Sequence, residues 1–340
     1  MLRLIEIALV RGHPVCVICP AGDLARRLPA DVEHVRIDEL DLGGRSGLAR
    51  LRAAFALLSR WRRTAATIRE VVEPNSAIIV NSLMALPAAR LARISGGVVW
   101  LMHDTIADSQ QRLVIRFGRR SIRRAVAVSP ATAESVRPLG IQPVVSPQGV
   151  DVRPMRADSA VADSPVVGIM GVLTPWKGHR VLLQALERLP QARCEVAGSA
   201  FYGDQSYADE LQRLAMEPAL AGRVEFLGHV DSVSTMQRWQ ALVSASTSPE
   251  AGPLVALEAM SVGVPVIGTD HGGCAWLLRD GAGILVPPDD SEALARAIET
   301  VLDGSADVAA MVTRARDRVV AEHDAAVTYP ALLDTLLAAT

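Results

Sequence analysis

Ser246-Thr-Ser-Pro-Glu250-Ala-Gly-Pro-Leu-Val-Ala-Leu-Glu258-Ala-Met-Ser-Val-Gly-Val-Pro-Val-Ile runs from the end of one apolar strand, through a turn and a helix, into the next strand. Pro253 suits the first helical position, where the missing N–H has no intrahelical partner, and Gly263 stops the helix. The amides of Leu254 and Val255 then point out of the helix N-terminus, where an anionic group such as a phosphate is stabilised. Gly252 permits a ligand to approach the backbone closely. Glu258 falls beside Leu254, Val255, Ser261 and Val262, a mostly apolar stripe on which a carboxylate needs a partner. A ligand's hydroxyl pair would serve, and so would an arginine; the ion pair is the simpler reading. Glu250, in the turn, can reach a ligand lying on the same amides.

The rhythm of short apolar strands and helical patterns extends outward in both directions. In the second half, Val166–Met170, Cys194–Ala197, Val224–Leu227, Leu242–Ser246, Val264–Gly268 and Gly283–Val286 read as strands. Gly178–Leu189, Tyr207–Met216, Ser234–Ala241, Leu254–Val262 and Ser291–Leu302 read as helices. The strands are continuous apolar runs, as expected where helices cover both faces of a parallel sheet. In the first half Val15–Cys19, Val32–Ile37, Ala77–Asn81, Val98–Met102, Ala125–Val128 and Val144–Ser146 repeat the pattern, with a long helix over Leu48–Val72. A Pro/Gly-punctuated stretch from Ser146 and the polar segment Arg156–Ser164 read as a linker. The expectation is two doubly wound, Rossmann-like α/β domains with parallel sheets facing each other across a cleft. They cover residues 1–150 and 151–325, and a last helix, 326–340, packs back on the first. Ligands in such sheets bind beyond the carboxyl ends of the strands.

The chain has 340 residues, half of them apolar and 21% charged. That is material for two cores, and it excludes a disordered or collagen-like chain. No run of about 18 apolar residues is present, so a spanning helix is not expected. Met1-Leu-Arg-Leu-Ile-Glu lacks the pattern of a signal peptide, and four cysteines are too few for a disulfide scaffold. A cytoplasmic protein is expected. Charge is uneven: residues 1–149 hold 21 arginines against 12 acids, whereas residues 150–340 hold 14 basic against 25 acidic residues. Arg50, Arg52, Arg60, Arg62 and Arg63 lie near Phe55, Leu57, Leu58 and Trp61. Such a face can lean on an anionic membrane, although a solvated helix face explains the pattern more simply. Nucleic acid is not an expected partner, because no binding motif accompanies the arginines.

Of the 35 basic residues only Lys177 is a lysine. It follows a predicted strand in Val166-Val-Gly-Ile-Met-Gly171-Val-Leu-Thr-Pro-Trp-Lys177-Gly178-His179, where a compact ammonium suits a point-charge contact to phosphate. No Asp-x-Asp pair and no His/Cys cluster at ligand spacing points to a metal. Cys16 and Cys19 fall inside an apolar run and read as buried packing rather than a redox pair.

These stretches together resemble the nucleotide-sugar-dependent glycosyltransferases of family 4, which are retaining enzymes of the two-domain GT-B fold. The matching features are the glycine loop with Lys177-Gly178 and the glutamates Glu250 and Glu258 followed by Ala259-Met260. Others are Gly263-Val-Pro265-Val, His271-Gly272-Gly273, the Gly281–Asp289 run, Ser146-Pro-Gln-Gly-Val-Asp and Ala127-Val-Ser129. The resemblance implies a nucleoside-diphosphate sugar as donor and a glycan, lipid-linked or small-molecule acceptor. It implies transfer with retention of configuration, with no metal or other cofactor. Lys177, in the loop of Gly171, would bind the diphosphate, and the amides of Gly252, Leu254 and Val255 would cradle the distal phosphate. Glu258 would hold the ribose hydroxyls and Glu250 the transferred sugar. His103, in Val99-Trp-Leu-Met-His103-Asp104, would hydrogen-bond the sugar near the reacting carbon.

The sequence departs from that pattern at Val172, where the family has an arginine, at Pro253 and at Trp276. It also opens inside the helix that in the family follows a first strand and a glycine-rich loop. A second reading is therefore a truncated, catalytically impaired paralogue that only binds nucleotide sugars. A GT-B epimerase fits less well with the lysine and the glutamate spacing. The expectation is that the N-terminal domain lacks its first, central strand, leaving two neighbours with unpaired ladder groups. A form extended upstream by about 20–30 residues, a strand plus a loop and a helix start, should then melt higher and turn over donor faster. Equal thermal midpoints and equal turnover for the two forms would reject this.

Overall fold

The computed structural model describes residues 1–40, 47–156, 164–201, 203–305 and 307–338. Its strands are β1 Cys16–Cys19, β2 Glu33–Arg36, β3 Ile79–Val80, β4 Val98–Met102, β5 Ile122–Ala127, β6 Val144–Val145, β7 Val166–Met170, β8 Arg193–Ala197, β9 Val224–Gly228, β10 Ala241–Ser244, β11 Val266–Thr269 and β12 Ile284–Val286. The helices of the first half are α1 Leu2–Val10, α2 Asp23–Arg26, α3 Gly47–Val71, α4 Leu86–Ala92, α5 Ser109–Gly118 and α6 Pro130–Val136. Those of the second are α7 His179–Leu186, α8 Gln205–Ala215, α9 Ser232–Met236, α10 Leu254–Val262, α11 Gly272–Leu278, α12 Ser291–Leu302, α13 Val308–Glu322 and α14 Ala325–Leu337. The chain divides into two units: Met1–Pro147 with Val327–Thr340, and Gln148–Ala326.

Unit 2 is a six-stranded sheet in the order β12-β11-β10-β7-β8-β9, with every pair parallel. This is the doubly wound order, and its switch point lies between β7 and β10. Residues alternate between faces along β7. Val167 and Ile169 pack with Leu182, Leu186, Leu211 and Ile298 on one side. Val166 and Met170 pack with Trp239, Leu257, Met260 and Leu277 on the other. Burial on both faces is why these strands are apolar throughout.

Gly168 sits under the buried indole of Trp239, and a side-chain carbon added there would overlap the ring. The indole Nε1–H donates to Glu195 Oε2 at 2.7 Å, which fixes the ring over the sheet.

Unit 1 carries its parallel strands in two pieces: β1-β2, and β3-β4-β5-β6. Among the described residues β1 pairs only with β2 and β3 only with β4. The core of the larger piece holds Leu86, Val98, Trp100, Met102, Ile115 and Ala127. Two ties seat the last helix in this unit: Arg11 with Asp334, and Arg124 Nη1–H donating to the Thr335 carbonyl at 3.3 Å.

Several boundaries shift from the sequence reading. The helix expected over Ser234–Ala241 is the shorter α9, capped by Asp231, whose side chain accepts from the Ser234 amide at 2.9 Å. The strand expected from Val264 starts at Val266, because Val264 N–H is still bonded to the Ala259 carbonyl of α10. Cys16 is exposed and Cys19 half-buried, not packed inside, because β1 lies in the two-stranded piece. Most of the linker segment, residues 157–163, lies outside the described residues.

Gly168→Ala should cost about 1–3 kcal/mol by overpacking, read as a lower midpoint in chemical denaturation. Gly22→Ala, where an added carbon meets nothing within 4 Å, serves as the control and should barely move it. Equal midpoints for the two variants would remove the Trp239 contact as a constraint.

Candidate functional site

At the switch point of unit 2 the carboxyl ends of β7 and β10 part, and a small cavity lies there. It is lined by Met170, Lys177, His179, Ser246, Glu250 and Val255 among others. The loop after β7 carries Lys177 to it. Trp176 supports the loop through its carbonyl, which accepts from the Thr247 amide at 2.8 Å, and its ring lies 4.5 Å from the ammonium. Gly178 follows with φ +74°, a left-handed conformation that glycine adopts without cost. A side-chain carbon there would run into the Ala245 carbonyl. The loop is thus held hard against the end of β10.

Glu250 is placed by the turn after β10 and by a second glycine loop. The Gly273 amide donates to the Glu250 carbonyl at 2.7 Å. A side-chain carbon on Gly272, at φ +57°, would sit 2.7 Å from the same oxygen, and one on Gly273 would overlap the Ala251 carbonyl. His271-Gly272-Gly273 is therefore a requirement for close backbone approach. The His271 Nε2–H and the Thr269 hydroxyl both donate to the Ser246 carbonyl, at 2.8 and 2.9 Å. Ser246 Oγ in turn donates to Glu250.

The result is an ion pair, Lys177 Nζ to Glu250 Oε2 at 2.6 Å, with side chains 20% and 10% exposed. Holding both ions largely out of water is expensive unless each finds partners. Glu250 has Ser246 and Lys177.

Pro253 is the residue before α10 rather than its first, with φ −69° and ψ 110°, so the helix starts at Leu254. The amides of Leu254 and Val255 precede the first intrahelical bond, made by Ala256 to the Pro253 carbonyl at 3.1 Å. Space beside Gly252 is open. Gly171 lies under the lysine stem: a carbon built on it would sit 3.8 Å from Lys177 Cδ. Lys177, Glu250 and Val255 are thus brought to one cavity with Gly171 and the start of α10.

Glu258 is not part of that cavity lining. It lies half-buried on α10, hydrogen-bonded to the Ser232 side chain, with Arg153 and Asp231 close enough to act on its charge. Burial raises its pKa; the Ser232 bond and the Arg153 charge lower it less. Among the described residues it has no salt bridge. His103, in unit 1, follows β4 and is half-buried, and its pKa falls to about 4 through burial and then through the amino-terminal ammonium. It is a neutral imidazole near pH 7. Sequence reasoning missed Ser246, Ser232 and His179; the signals were a serine four residues before Glu250 and a histidine two after Lys177.

Residues 152–318 match the family model of glycosyl transferases group 1, and residues 1–154 that of the glycosyl transferase 4-like domain. The chain belongs to the group 1 glycosyl transferases. This glycosyl transferase is 29% identical to a phosphatidyl-myo-inositol mannosyltransferase of Mycolicibacterium smegmatis, over 94% of this chain and 84% of that one. It is 32% identical to a D-inositol 3-phosphate glycosyltransferase of Mycolicibacterium paratuberculosis, over 68% of this chain and 53% of the relative. Among solved structures, HepE of Anabaena in complex with UDP and glucose superposes with a TM-score of 0.80 at 25% identity, covering 98% of this glycosyl transferase and 94% of HepE. A sucrose-phosphate synthase of Thermosynechococcus elongatus shares the fold, with a TM-score of 0.80 at 21% identity and coverages of 99% and 92%. The two-domain GT-B architecture expected from the sequence is the architecture found.

The Glu258 pKa carries a stability prediction. A carboxyl whose folded pKa lies above its unfolded value favours the fold when protonated. That stability is lost as pH rises through the folded value, so the ionised form is a net cost near pH 7. Glu258→Gln should therefore raise the thermal midpoint at pH 7, and the gain should fade as pH falls towards 4. A gain of equal size at both pH values would show that the charge is not its origin.

Proposed function

We propose that the protein transfers a sugar from a nucleoside-diphosphate sugar to a glycan, lipid-linked or small-molecule acceptor, with retention of anomeric configuration and without a metal. The observation that carries this reading is the Lys177–Glu250 pair at the switch point, beside the free amides of α10. Negative charge develops on the diphosphate as the sugar leaves. An ammonium and a helix N-terminus aimed at it stabilise that charge more in the transition state than in the ground state, a role a divalent cation would otherwise fill. Glu250 takes the sugar hydroxyls, Glu258 the ribose, and the neutral His103 hydrogen-bonds the sugar near the reacting carbon. HepE is described with UDP and glucose, and two relatives are named a phosphatidyl-myo-inositol mannosyltransferase and a D-inositol 3-phosphate glycosyltransferase. Donors of the UDP type are consequently the first to try.

The second reading, a binding protein without turnover, is favoured by Val172 in place of the family's arginine. The proposal extends to a peripheral contact with anionic lipid through α3, on which Phe55 is 75% exposed and Arg52 and Arg62 are exposed. Of the other residues considered for that face, Leu57 is buried and Trp61 donates to the Met84 carbonyl at 2.8 Å. Arg63 pairs with Asp38 at 2.6 Å and Arg60 donates to the Glu39 carbonyl at 3.1 Å, while the Arg50 side chain lies outside the described residues.

A mass-spectrometric screen for hydrolysis of UDP-, GDP- and ADP-sugars tests the reading, and binding without hydrolysis of any would favour the second. Lys177→Ala should lower kcat/KM about 10²–10³-fold, as loss of one charge stabiliser does; a change under about threefold would remove Lys177 from the mechanism. Glu250→Gln should separate the two halves of the ligand. Turnover should fall, while free nucleoside diphosphate binds about 3–10-fold tighter, because the ammonium no longer has to leave a carboxylate. Weaker nucleotide binding in calorimetry would contradict that exchange.

A further inference from the structure

Lys177, Glu250 and the α10 amides leave one wall of the cavity without an assigned role. His179, the first residue of α7, lines it while being only 1% exposed, and neither ring nitrogen has a hydrogen-bond partner among the described residues. A buried polar group in that condition costs free energy in the folded protein. The polar side chains around it bond to other groups and not to the imidazole. Ser246 Oγ donates to Glu250, the Ser244 side chain is bonded to the Cys274 thiol, and Tyr207 Oη accepts from the Arg180 amide at 3.3 Å. Tyr207 offers the imidazole only a ring edge, at 6.4 Å between centroids. Nothing among the described residues supplies the missing hydrogen bonds, yet His179 lines the cavity that holds Lys177 and Glu250.

Burial, and then the Lys177 charge, lower the pKa of this imidazole to about 4, so it carries no charge near pH 7. It has one donor and one acceptor. The ammonium beside it only donates and the Glu250 carboxylate only accepts. A hydroxyl group, which donates once and accepts twice, can accept from the imidazole N–H and the ammonium and donate to the carboxylate. A phosphate oxygen accepts only and gives the Glu250 carboxylate no donor. We propose that His179 is a further binding residue for the donor, hydrogen-bonding an uncharged hydroxyl of the transferred sugar rather than the diphosphate. This rests on the donor reading above. Sites that hydrogen-bond a substrate hydroxyl discriminate strongly against analogues that lack it, so His179 is also a determinant of which sugars are accepted.

The deciding measurement is NMR of the full chain labelled with ¹⁵N-histidine. The His179 signal is assigned by its loss in His179→Leu or, independently, in His179→Gln. Calorimetry with UDP-glucose, GDP-mannose and ADP-glucose, and with UDP, GDP and ADP, first selects the probe that binds. The His179 ring signals should move with the nucleotide sugar and stay in place with the matching nucleoside diphosphate. In kinetics, His179→Leu should lower kcat/KM about 10–100-fold, with less than about threefold change in nucleoside-diphosphate Kd and a thermal midpoint equal to or above that of wild type. His179→Asn, which keeps a donor and an acceptor, should recover part of the loss. An equal shift with the nucleoside diphosphate alone would assign the contact to phosphate and overturn the proposal. So would binding of a nucleotide sugar with no His179 shift, which places the imidazole's partner elsewhere, while the donor reading would survive. Flat titrations with all six compounds would bring down the donor reading and this proposal together.

Discussion

An ammonium and a carboxylate moved out of water lose several kcal/mol each in hydration, and a single contact restores it only when the geometry is held. The Lys177–Glu250 pair is such a case: its members are 73 residues apart and come from the ends of two different strands. What holds them is backbone. The lysine loop is tied to the segment after β10 through the Trp176 carbonyl, and Gly178 fits only because nothing projects toward Ala245. From the other side, Gly272 and Gly273 let the start of α11 reach the Glu250–Gly252 backbone. Three strand ends, those of β7, β10 and β11, thus converge on one pair of side chains. The sheet order that makes β7 and β10 neighbours places the pair where helices depart in opposite senses and space is left for a ligand.

The same constraint explains why lysine stands here in a chain that otherwise uses arginine. A guanidinium is a rigid planar fork best matched by a bidentate partner, and Glu250 presents one oxygen to Lys177 while Ser246 donates to the other. An ammonium on a flexible stem can stay with that oxygen and then swing to another anion with little rearrangement of the loop.

The fold of unit 2 was legible because its strands are buried on both faces, so the apolar runs mark them directly. Lys177 and Glu250 were legible because a lone lysine and a carboxylate just before a helix are conspicuous in sequence. Glu258 was legible as an anomaly but not in its surroundings: Ser232 and Arg153 reach it from segments 26 and 105 positions away. The same holds for Gly168, whose role depends on Trp239 lying across it. Unit 1 was read less well. β3 is two residues long and β1 has only one neighbour, so a run such as Val15–Cys19 that signals burial in a full sheet is here left partly open.

His179 shows the complementary limit. At the first turn of an amphipathic helix, following a glycine in the left-handed region, a histidine reads as a residue that packs. Its burial agrees with that, and its unpartnered nitrogens do not. A leucine at this position would fill comparable space without leaving two polar atoms unsatisfied, so packing alone favours the apolar residue. Retaining the imidazole makes sense where a group from outside the fold supplies it with a hydrogen bond. Stability forgone in the free protein is then recovered in the complex, and the difference contributes to recognition rather than to folding.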